Sequence, residues 1–236
     1  MSQKKLEGRI ALVTGASRGI GYAVAKQFAS EGAHVIATAR TVGGLEELDD
    51  EIRAAGGVCT LAPIDLRKGE EIDALGYSLY ERFGKLDILV GNAGVLGGLS
   101  PVSHLDPKDW DHVMAVNATA NYRLLRSLDS LLRSSDAGRA IFVTSRLAHD
   151  CKQYWSGYAA SKAALESLVK VYAAEVEKIT SVRANLISPG PIATALRAKA
   201  YPGEDPTTLP KPADIVGTFV EMAEAGFDKS GEIIEI

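Results

Sequence analysis

The sequence has few features of a membrane, metal-binding or disulfide-rich protein. Its two cysteines, Cys59 and Cys151, are far apart and match no zinc or disulfide spacing, so no metal site is expected. No apolar run reaches the ~18 residues of a membrane span, and the amino-terminal segment does not resemble a signal peptide. We therefore expect no membrane partner, and the lack of a disulfide framework favours a cytoplasmic location.

Basic clusters are also missing. The 26 Lys and Arg residues are outnumbered by 30 Asp and Glu residues, which gives a net charge of −4. Binding to nucleic acid through bulk electrostatics is therefore not expected. With 236 residues, the chain is long enough to build one large core, and we expect a single domain over 1–236.

Short apolar runs alternate with amphipathic patterns along the chain. The runs predict seven strands, at 9–14, 33–39, 58–64, 86–90, 140–144, 182–187 and 231–236. Helices are predicted between them, at 19–30, 45–55, 70–83, 106–132, around Tyr158 and at 212–225. This alternation predicts an α/β fold, a doubly wound parallel sheet of about seven strands with helices on both faces.

One region interrupts the alternation. Six of the nine prolines fall between Pro189 and Pro212, a density that excludes continuous helix or central strand. Long irregular segments in compact domains are usually functional. We therefore predict that residues 191–212 form a lid over a substrate.

A glycine-rich turn follows the first strand. Gly15, Gly19 and Gly21 stand between that strand and the first helix, in the sequence Thr14-Gly-Ala-Ser-Arg-Gly-Ile-Gly21. Glycines at these positions permit a tight turn and close approach of the backbone to a pyrophosphate, and the helix amino terminus favours anions. The strand–turn–helix context predicts a dinucleotide-binding site.

The end of the second strand indicates which dinucleotide is bound. NAD-binding sites place an acid there for the ribose hydroxyls, whereas this chain has Ala39 followed by Arg40 and Thr41. Arg18 lies within the glycine turn. Arginine suits a 2′-phosphate through its planar set of donors, so the sequence favours NADP, although both arginines would also suit a solvated surface.

Tyr158 and Lys162 form the strongest catalytic candidate. On a helix the two side chains would lie on one face, one turn apart. A nearby ammonium is expected to lower the pKa of the phenol from ~10 toward neutral pH. Ser145, at the end of a buried strand, would polarise a substrate carbonyl there. A hydrolase built on Ser145, His149 and Asp150 is not favoured, because no Gly-x-Ser-x-Gly turn surrounds the serine.

With these motifs in place, the chain resembles the short-chain dehydrogenase/reductase family over essentially its full length. It is similar to a poorly characterised bacterial branch that is often labelled oxoacyl-carrier-protein-reductase-like. The resemblance implies a Rossmann-type fold and a catalytic tetrad of Asn117, Ser145, Tyr158 and Lys162. The residues matching the family's order and spacing are Thr14–Gly21, Asp65, Asn92–Gly94, Asn117, Ser145, Tyr158, Lys162 and Pro189-Gly190. One departure is Gly91, where the family has a second asparagine before Asn92.

The resemblance also implies a set of cofactor contacts. Asp65 would meet the adenine amino group, Asn92–Gly94 would line the adenosine side, and the segment after the sixth strand would meet the nicotinamide. Together with the residues above, the expected cofactor-binding set is Gly15, Ser17, Arg18, Gly19, Ile20, Gly21, Arg40, Thr41, Asp65, Leu66, Asn92, Ala93, Gly94, Tyr158, Lys162, Pro189, Gly190, Ile192 and Thr194.

The function expected from the residues and the resemblance is that of an NADP(H)-dependent oxidoreductase acting on a small-molecule carbonyl or alcohol. The alternative is a non-catalytic NADP-binding redox sensor or scaffold, although such relatives typically lose the tyrosine or the lysine. An epimerase or dehydratase usually has a longer substrate domain. A homodimer or homotetramer is expected from the resemblance. Specificity is expected to come from Leu96–Leu99, from His149–Trp155 and from the lid.

Overall fold

Seven parallel strands form the centre of the structure, a computed structural model that describes residues 4–236. In chain order they are β1 (Ile10–Thr14), β2 (His34–Thr38), β3 (Val58–Leu61), β4 (Ile88–Gly91), β5 (Arg139–Val143), β6 (Arg183–Ser188) and β7 (Ile233–Glu235). Their order in the sheet is β3-β2-β1-β4-β5-β6-β7, and every neighbouring pair is parallel. The predicted sheet is confirmed.

Helices connect the strands and cover both faces of the sheet. They are α1 (Gly19–Ser30), α2 (Val42–Ala54), α3 (Gly69–Phe83), α4 (Pro107–Met114), α5 (Ala120–Arg133), α6 (Leu147–Asp150), α7 (Ser156–Val176), α8 (Ala195–Ala200) and α9 (Val216–Ala223). Successive residues of β1 lie on opposite faces of the sheet. Ala11 and Val13 belong to one buried layer and Leu12 to the other. The first layer includes apolar side chains of α1, α2 and α9, and the second those of α3, α5 and α7.

The strand order places a crevice beside β1. The chain proceeds outward from β1 through β2 to β3, and then returns to β4 on the opposite side of β1. Open α/β sheets bind ligands at the carboxyl ends of the strands where the order switches in this way. The loops that follow Thr14 and Gly91 are therefore the expected ligand loops.

The helix predicted over 106–132 is not continuous. α4 begins after Asp106, whose carboxylate caps it by accepting from the N–H of Lys108 at 2.8 Å. One π-helical turn, Ala115–Thr119, then separates α4 from α5. Such turns are frequent at functional sites, and this one contains Asn117. The predicted helix therefore spans the expected range, but its middle is a π turn rather than continuous α-helix.

The proline-rich segment contains more regular structure than expected. Thr194 caps α8, its hydroxyl accepting from the N–H of Arg197 at 3.2 Å. Two 3₁₀ turns follow, at Pro206–Thr208 and Pro212–Asp214. A six-residue helix spans fewer than two turns, so apolar periodicity does not reveal it.

No helix within residues 4–236 is long and apolar enough to cross a membrane. The same residues contain no cluster of three or more His, Cys, Asp or Glu side chains placed to hold a metal ion. Both cysteines are free thiols, Cys59 buried and Cys151 exposed.

Candidate active site

The turn between β1 and α1 allows close approach to the backbone. Gly15 and Gly19 have φ values of +66° and +62°, a conformation that residues with a Cβ rarely adopt. The first-turn N–H groups of a helix have no intrahelical acceptor, so α1 presents donors and a positive dipole end at this turn. The predicted phosphate-binding residues at this turn are Gly15, Ser17, Arg18, Gly19, Ile20 and Gly21.

Asn92 supports this turn from the neighbouring strand. Its side-chain amide donates to the Thr14 carbonyl at 2.8 Å, and its backbone N–H donates to the Thr14 hydroxyl at 2.9 Å. The N–H of Ala93 donates to the same hydroxyl at 3.0 Å. The Asn92 side chain therefore holds β1 and β4 together at the crevice, in addition to any contact of its backbone with a ligand.

Gly21→Ala is expected to disrupt the turn. A Cβ at Gly21 would lie 2.5 Å from the Gly15 carbonyl oxygen and would also overlap the Asn92 amide nitrogen. Overpacking of this kind costs about 1–3 kcal/mol. We expect a lower midpoint of thermal unfolding and weaker binding of a dinucleotide in fluorescence titrations.

Gly217→Ala is the matched control for that change. Gly217 also lies near the start of a helix, α9, but a Cβ there would meet no atom within 4 Å. Alanine favours helix over glycine by up to about 1 kcal/mol, so this variant should be as stable as the parent or more stable. Equal unfolding midpoints for the two variants would contradict the proposed crowding at Gly21.

Crowding by neighbouring side chains also explains why residue 91 is a glycine. A Cβ at Gly91 would overlap the ring of Phe142 and would lie 2.6 Å from the Asn121 side-chain oxygen. These two side chains fill the space that the family's additional asparagine would need. The departure from the family pattern is thus matched by the packing between β4, β5 and α5.

Two exposed arginines lie near the glycine turn: Arg18 within it, and Arg40 after the end of β2. Ala39 is buried, whereas Arg40, Thr41 and Arg18 are exposed. Neither arginine forms an ion pair with a residue of 4–236. Both guanidinium groups therefore keep their donors available for an anion.

Asp65 already has a partner in the structure. The Arg67 guanidinium and backbone N–H both donate to its carboxylate, with Nε–Oδ1 and N–Oδ1 distances of 3.0 Å. The Arg67 hydrogen bond, assisted weakly by the charge of Arg40, lowers the pKa of Asp65 to about 2. Arg67 was not anticipated from the sequence, although it follows Asp65 by two residues, and Leu66 between them is buried.

The structure brings Tyr158, Lys162 and Ser145 together. Tyr158 and Lys162 lie one turn apart on α7, with Lys162 Nζ 5.8 Å from the centre of the Tyr158 ring. The Ser145 hydroxyl lies close enough to the phenol to lower its pKa. Lys162 is buried and donates to the Val143 carbonyl at the end of β5, at 2.8 Å.

Burial has the largest effect on the pKa values of both Tyr158 and Lys162. It raises the pKa of Tyr158 to about 12, against the opposing effect of the Ser145 hydroxyl. It lowers the pKa of Lys162 to about 8, against the opposing charge of Glu166. The prediction that Lys162 brings the Tyr158 pKa below its usual value was wrong for this structure, because burial raises that pKa and the ammonium donates to Val143 instead. At neutral pH the phenol therefore keeps its proton.

Asn117 lies beside Lys162 with all of its side-chain groups engaged. Its amide donates to the Val95 carbonyl at 2.9 Å and to the Ser161 hydroxyl at 3.0 Å, and its oxygen accepts from the Val95 N–H at 2.9 Å. A Cβ at Gly94 would lie 3.5 Å from the Asn117 side-chain oxygen and 3.7 Å from Lys162 Nζ. Asn117 therefore fixes the loop after β4 against α7.

The segment after β6 reaches back to the glycine turn. Pro189 is buried, Gly190 has a φ of +70°, and Ile192 is buried. A Cβ at Gly19 would lie 3.6 Å from the Thr194 methyl group. A cavity of about 610 Å³ lies between α1 and residues 193–216, and both Gly19 and Thr194 line it.

An aromatic cluster joins the proline-rich segment to Tyr158. The ring of Trp155, a buried side chain, lies 5.9 Å from that of Tyr158 and 5.7 Å from that of Tyr201, which follows α8. Lys152 donates to the Tyr201 hydroxyl at 2.8 Å, and the Arg197 guanidinium carbon lies 3.8 Å from the centre of the same ring. Of the segment His149–Trp155, Trp155 thus borders the site as expected, while Cys151 is exposed with a φ of +47°.

Glu166 is a second residue of the site that was not anticipated from the sequence. Its carboxylate is buried one turn after Lys162 and lies 2.6 Å from His149 Nε2. The sequence held one signal for such a role. Glu166 is an acidic residue next to Leu165, among the buried positions of the helix.

Comparison with known proteins agrees with this geometry. A family model described as short chain dehydrogenase matches residues 9–205. The uncharacterized oxidoreductase YciK of Escherichia coli strain K12 is 36% identical over 229 residues, which cover 92% of this chain and 87% of that protein.

Two solved structures are similar throughout. A short chain dehydrogenase from Shigella flexneri in complex with NADP has a TM-score of 0.95 and 35% identity, and the match covers 99% of each chain. A short chain dehydrogenase from Escherichia coli CFT073 in complex with NADPH has a TM-score of 0.94 and 36% identity. That second match covers 100% of this chain and 99% of the other.

Proposed function

Because the chain belongs to the short-chain dehydrogenase family, we propose that it is an NADP(H)-dependent oxidoreductase that interconverts a small-molecule carbonyl and its secondary alcohol. The observation that carries this proposal is the buried Tyr158–Lys162 pair, with the ammonium 5.8 Å from the centre of the phenol ring and Ser145 close to the phenol. The relatives in complex with NADP and NADPH support the choice of cofactor.

The residues at the crevice fit a phosphorylated dinucleotide. Side chains at Gly15 or Gly21 would fill the turn, so their absence leaves the backbone accessible. Arg18 and Arg40 are exposed donors suited to a 2′-phosphate. We assign the adenosine end to Asp65, Leu66 and Asn92–Gly94, and the nicotinamide end to Pro189, Gly190, Ile192 and Thr194.

When bound, NADPH supplies the hydride, and the chain's own residues supply orientation and the proton. The Ser145 hydroxyl holds the substrate oxygen beside Tyr158. The phenol is protonated at neutral pH because burial raises its pKa to about 12, and this is the state that donates a proton to a reduced carbonyl. The buried setting also excludes water from the proton transfer.

Lys162 and Asn117 organise this pair. One N–H of the Lys162 ammonium is used by the Val143 carbonyl, which leaves two donors for the hydroxyls of the nicotinamide ribose. The Asn117 carbonyl accepts from the Asn121 amide at 2.8 Å, and a carbonyl oxygen has a second lone pair. We assign that lone pair to a water molecule that links Lys162 to solvent.

A screen with NADPH and a panel of aldehydes, ketones, quinones and acyl thioesters tests the proposal. We expect oxidation of NADPH with at least one class, in a one-to-one ratio with the alcohol formed. NADPH binding detected by fluorescence, without turnover on any member of a broad panel, would instead favour the sensor or scaffold alternative.

We expect residues 195–211 to act as a lid that becomes protected when ligands bind. Tyr201 is its main attachment to the site, through Trp155 and Lys152, and most of its backbone hydrogen bonds join residues within the segment rather than to the rest of the chain. Segments of this kind open at low free-energy cost. Amide hydrogen exchange should slow in this segment on addition of NADPH and substrate, with strand β1 as the internal reference. Unchanged exchange would contradict the lid assignment.

A further inference from the structure

A buried carboxylate lies directly behind the Tyr158–Lys162 pair. The side chain of Glu166 is only 5% exposed and follows Lys162 by one turn of α7. Burying a carboxylate without partners costs several kcal/mol, so its neighbours must compensate. Two of them do so through short contacts.

These contacts tie together three elements of the site. The Thr144 hydroxyl donates to Glu166 Oε1 at 2.6 Å, and Thr144 immediately precedes Ser145. His149 Nε2 lies 2.6 Å from Glu166 Oε2, and His149 belongs to α6, which follows Ser145. Glu166 thus contacts the chain on both sides of Ser145, through a hydrogen bond from Thr144 and a close contact with His149, and it holds that segment against the helix that carries Tyr158.

Glu166 also acts on Lys162 electrostatically. Burial lowers the pKa of Lys162, and the carboxylate of Glu166 is the charge that opposes this effect. No other charged group within residues 4–236 contributes noticeably to the pKa of Lys162. The titratable groups on the elements packed against α7 include Lys108, Asp109, Asp111 and His112 of α4, Asp129 and Arg133 of α5, His149 and Asp150 of α6, and Arg183 of β6.

We propose that Glu166 is a positioning residue of the active site, which holds the Ser145 segment against the helix that carries Tyr158 and places a carboxylate one turn from the Lys162 ammonium. This inference rests on the proposed function, because it assumes that Ser145, Tyr158 and Lys162 act on the substrate. The two roles are separable, since a neutral amide preserves the hydrogen bond from Thr144 while it removes the charge.

Glu166→Gln tests the electrostatic role. The amide can still accept from the Thr144 hydroxyl and fills the same space, so the fold and the activity at neutral pH should stay close to those of the parent. Loss of the carboxylate removes the charge that favours the ammonium, so the Lys162 pKa should fall. Both kcat and NADPH affinity should decline at high pH, and in this variant both alkaline limbs should lie about one pH unit lower than in the parent. Fluorescence titration measures the affinity. Glu175→Gln, an exposed change on the same helix, should move neither limb.

Glu166→Ala and Thr144→Val test the positioning role. Each removes a bond that holds the Ser145 segment, so kcat/KM should fall about tenfold even at neutral pH, as expected for a lost hydrogen bond to a charged group. NADPH affinity at neutral pH should change much less. If Glu166→Ala does not fold, Thr144→Val alone carries this comparison.

The outcomes separate the two proposals. Identical alkaline limbs in Glu166→Gln and in the parent would overturn the electrostatic role, and an unchanged kcat/KM in Thr144→Val would overturn the positioning role. A parent protein that shows no turnover with NADPH would instead count against the proposed function. In that case the pH dependence of NADPH affinity still decides whether Glu166 controls Lys162.

Discussion

Tyr158→Phe is expected to lower kcat at least 100-fold and to leave NADPH affinity nearly unchanged. The phenol donates the proton in the transition state, and general acid catalysis contributes about 10²–10⁴-fold. Phenylalanine keeps the ring that packs against Trp155, so the loss falls on kcat rather than on binding. Steady-state kinetics and fluorescence titration with NADPH measure the two effects separately.

Tyr172→Phe provides the control for that change. Tyr172 is another largely buried tyrosine of α7, and its hydroxyl donates to Asp129 at 2.7 Å, away from the candidate site. Loss of this bond should lower the free energy of unfolding by about 1 kcal/mol and leave kcat unchanged. If Tyr158→Phe retained more than about a tenth of the parent kcat, Tyr158 would not be the acid.

NADPH is expected to bind about 30- to 1,000-fold more tightly than NADH. Ala39 stands where a carboxylate would select the unphosphorylated ribose, and Arg18 and Arg40 are exposed beside it. A hydrogen bond to a charged group contributes about 1.5–3 kcal/mol, less where water and salt screen it, so two arginines account for this range. Fluorescence titration with each reduced cofactor measures the ratio.

The double change Ala39→Asp with Arg40→Ala should narrow or reverse that preference. It adds repulsion toward the 2′-phosphate and removes an attraction. Arg53→Ala removes an arginine that is paired with Asp49 near the end of α2, and it should leave the ratio unchanged. Equal affinities for the two cofactors in the parent protein would contradict the assignment of Arg18 and Arg40.

The sheet was predictable because each strand is short, apolar and separated from the next by a helix. Buried parallel strands have no polar face, so a continuous apolar run such as that of β5 is a sufficient signal. The π-helical turn at Asn117 and the short helix α8 were not predictable from spacing. A single π turn disturbs the apolar spacing of a long helix too little to be recognised in the sequence. The six residues of α8 are too few to form an apolar stripe.

The chemistry of the site was predictable only in part. The glycine turn and the Tyr158–Lys162 pair are local motifs, so the spacing of their residues along the chain is enough to identify them. The contacts of Glu166 join residues that are 17 and 22 positions apart, and only the fold brings them together. The direction of the Tyr158 pKa shift was mispredicted for the same reason, because burial depends on the packed helix and loops around the phenol.

The site is expected to transfer a hydride from NADPH to a carbonyl carbon. The most direct test uses NADPH deuterated at the hydride-donating carbon of the nicotinamide, with a carbonyl substrate found in the screen. Mass spectrometry of the alcohol should show one deuterium on the former carbonyl carbon for the parent protein, and strongly reduced product for Tyr158→Phe. NADPH that binds to the protein but transfers no deuterium to any carbonyl of the panel would contradict the account.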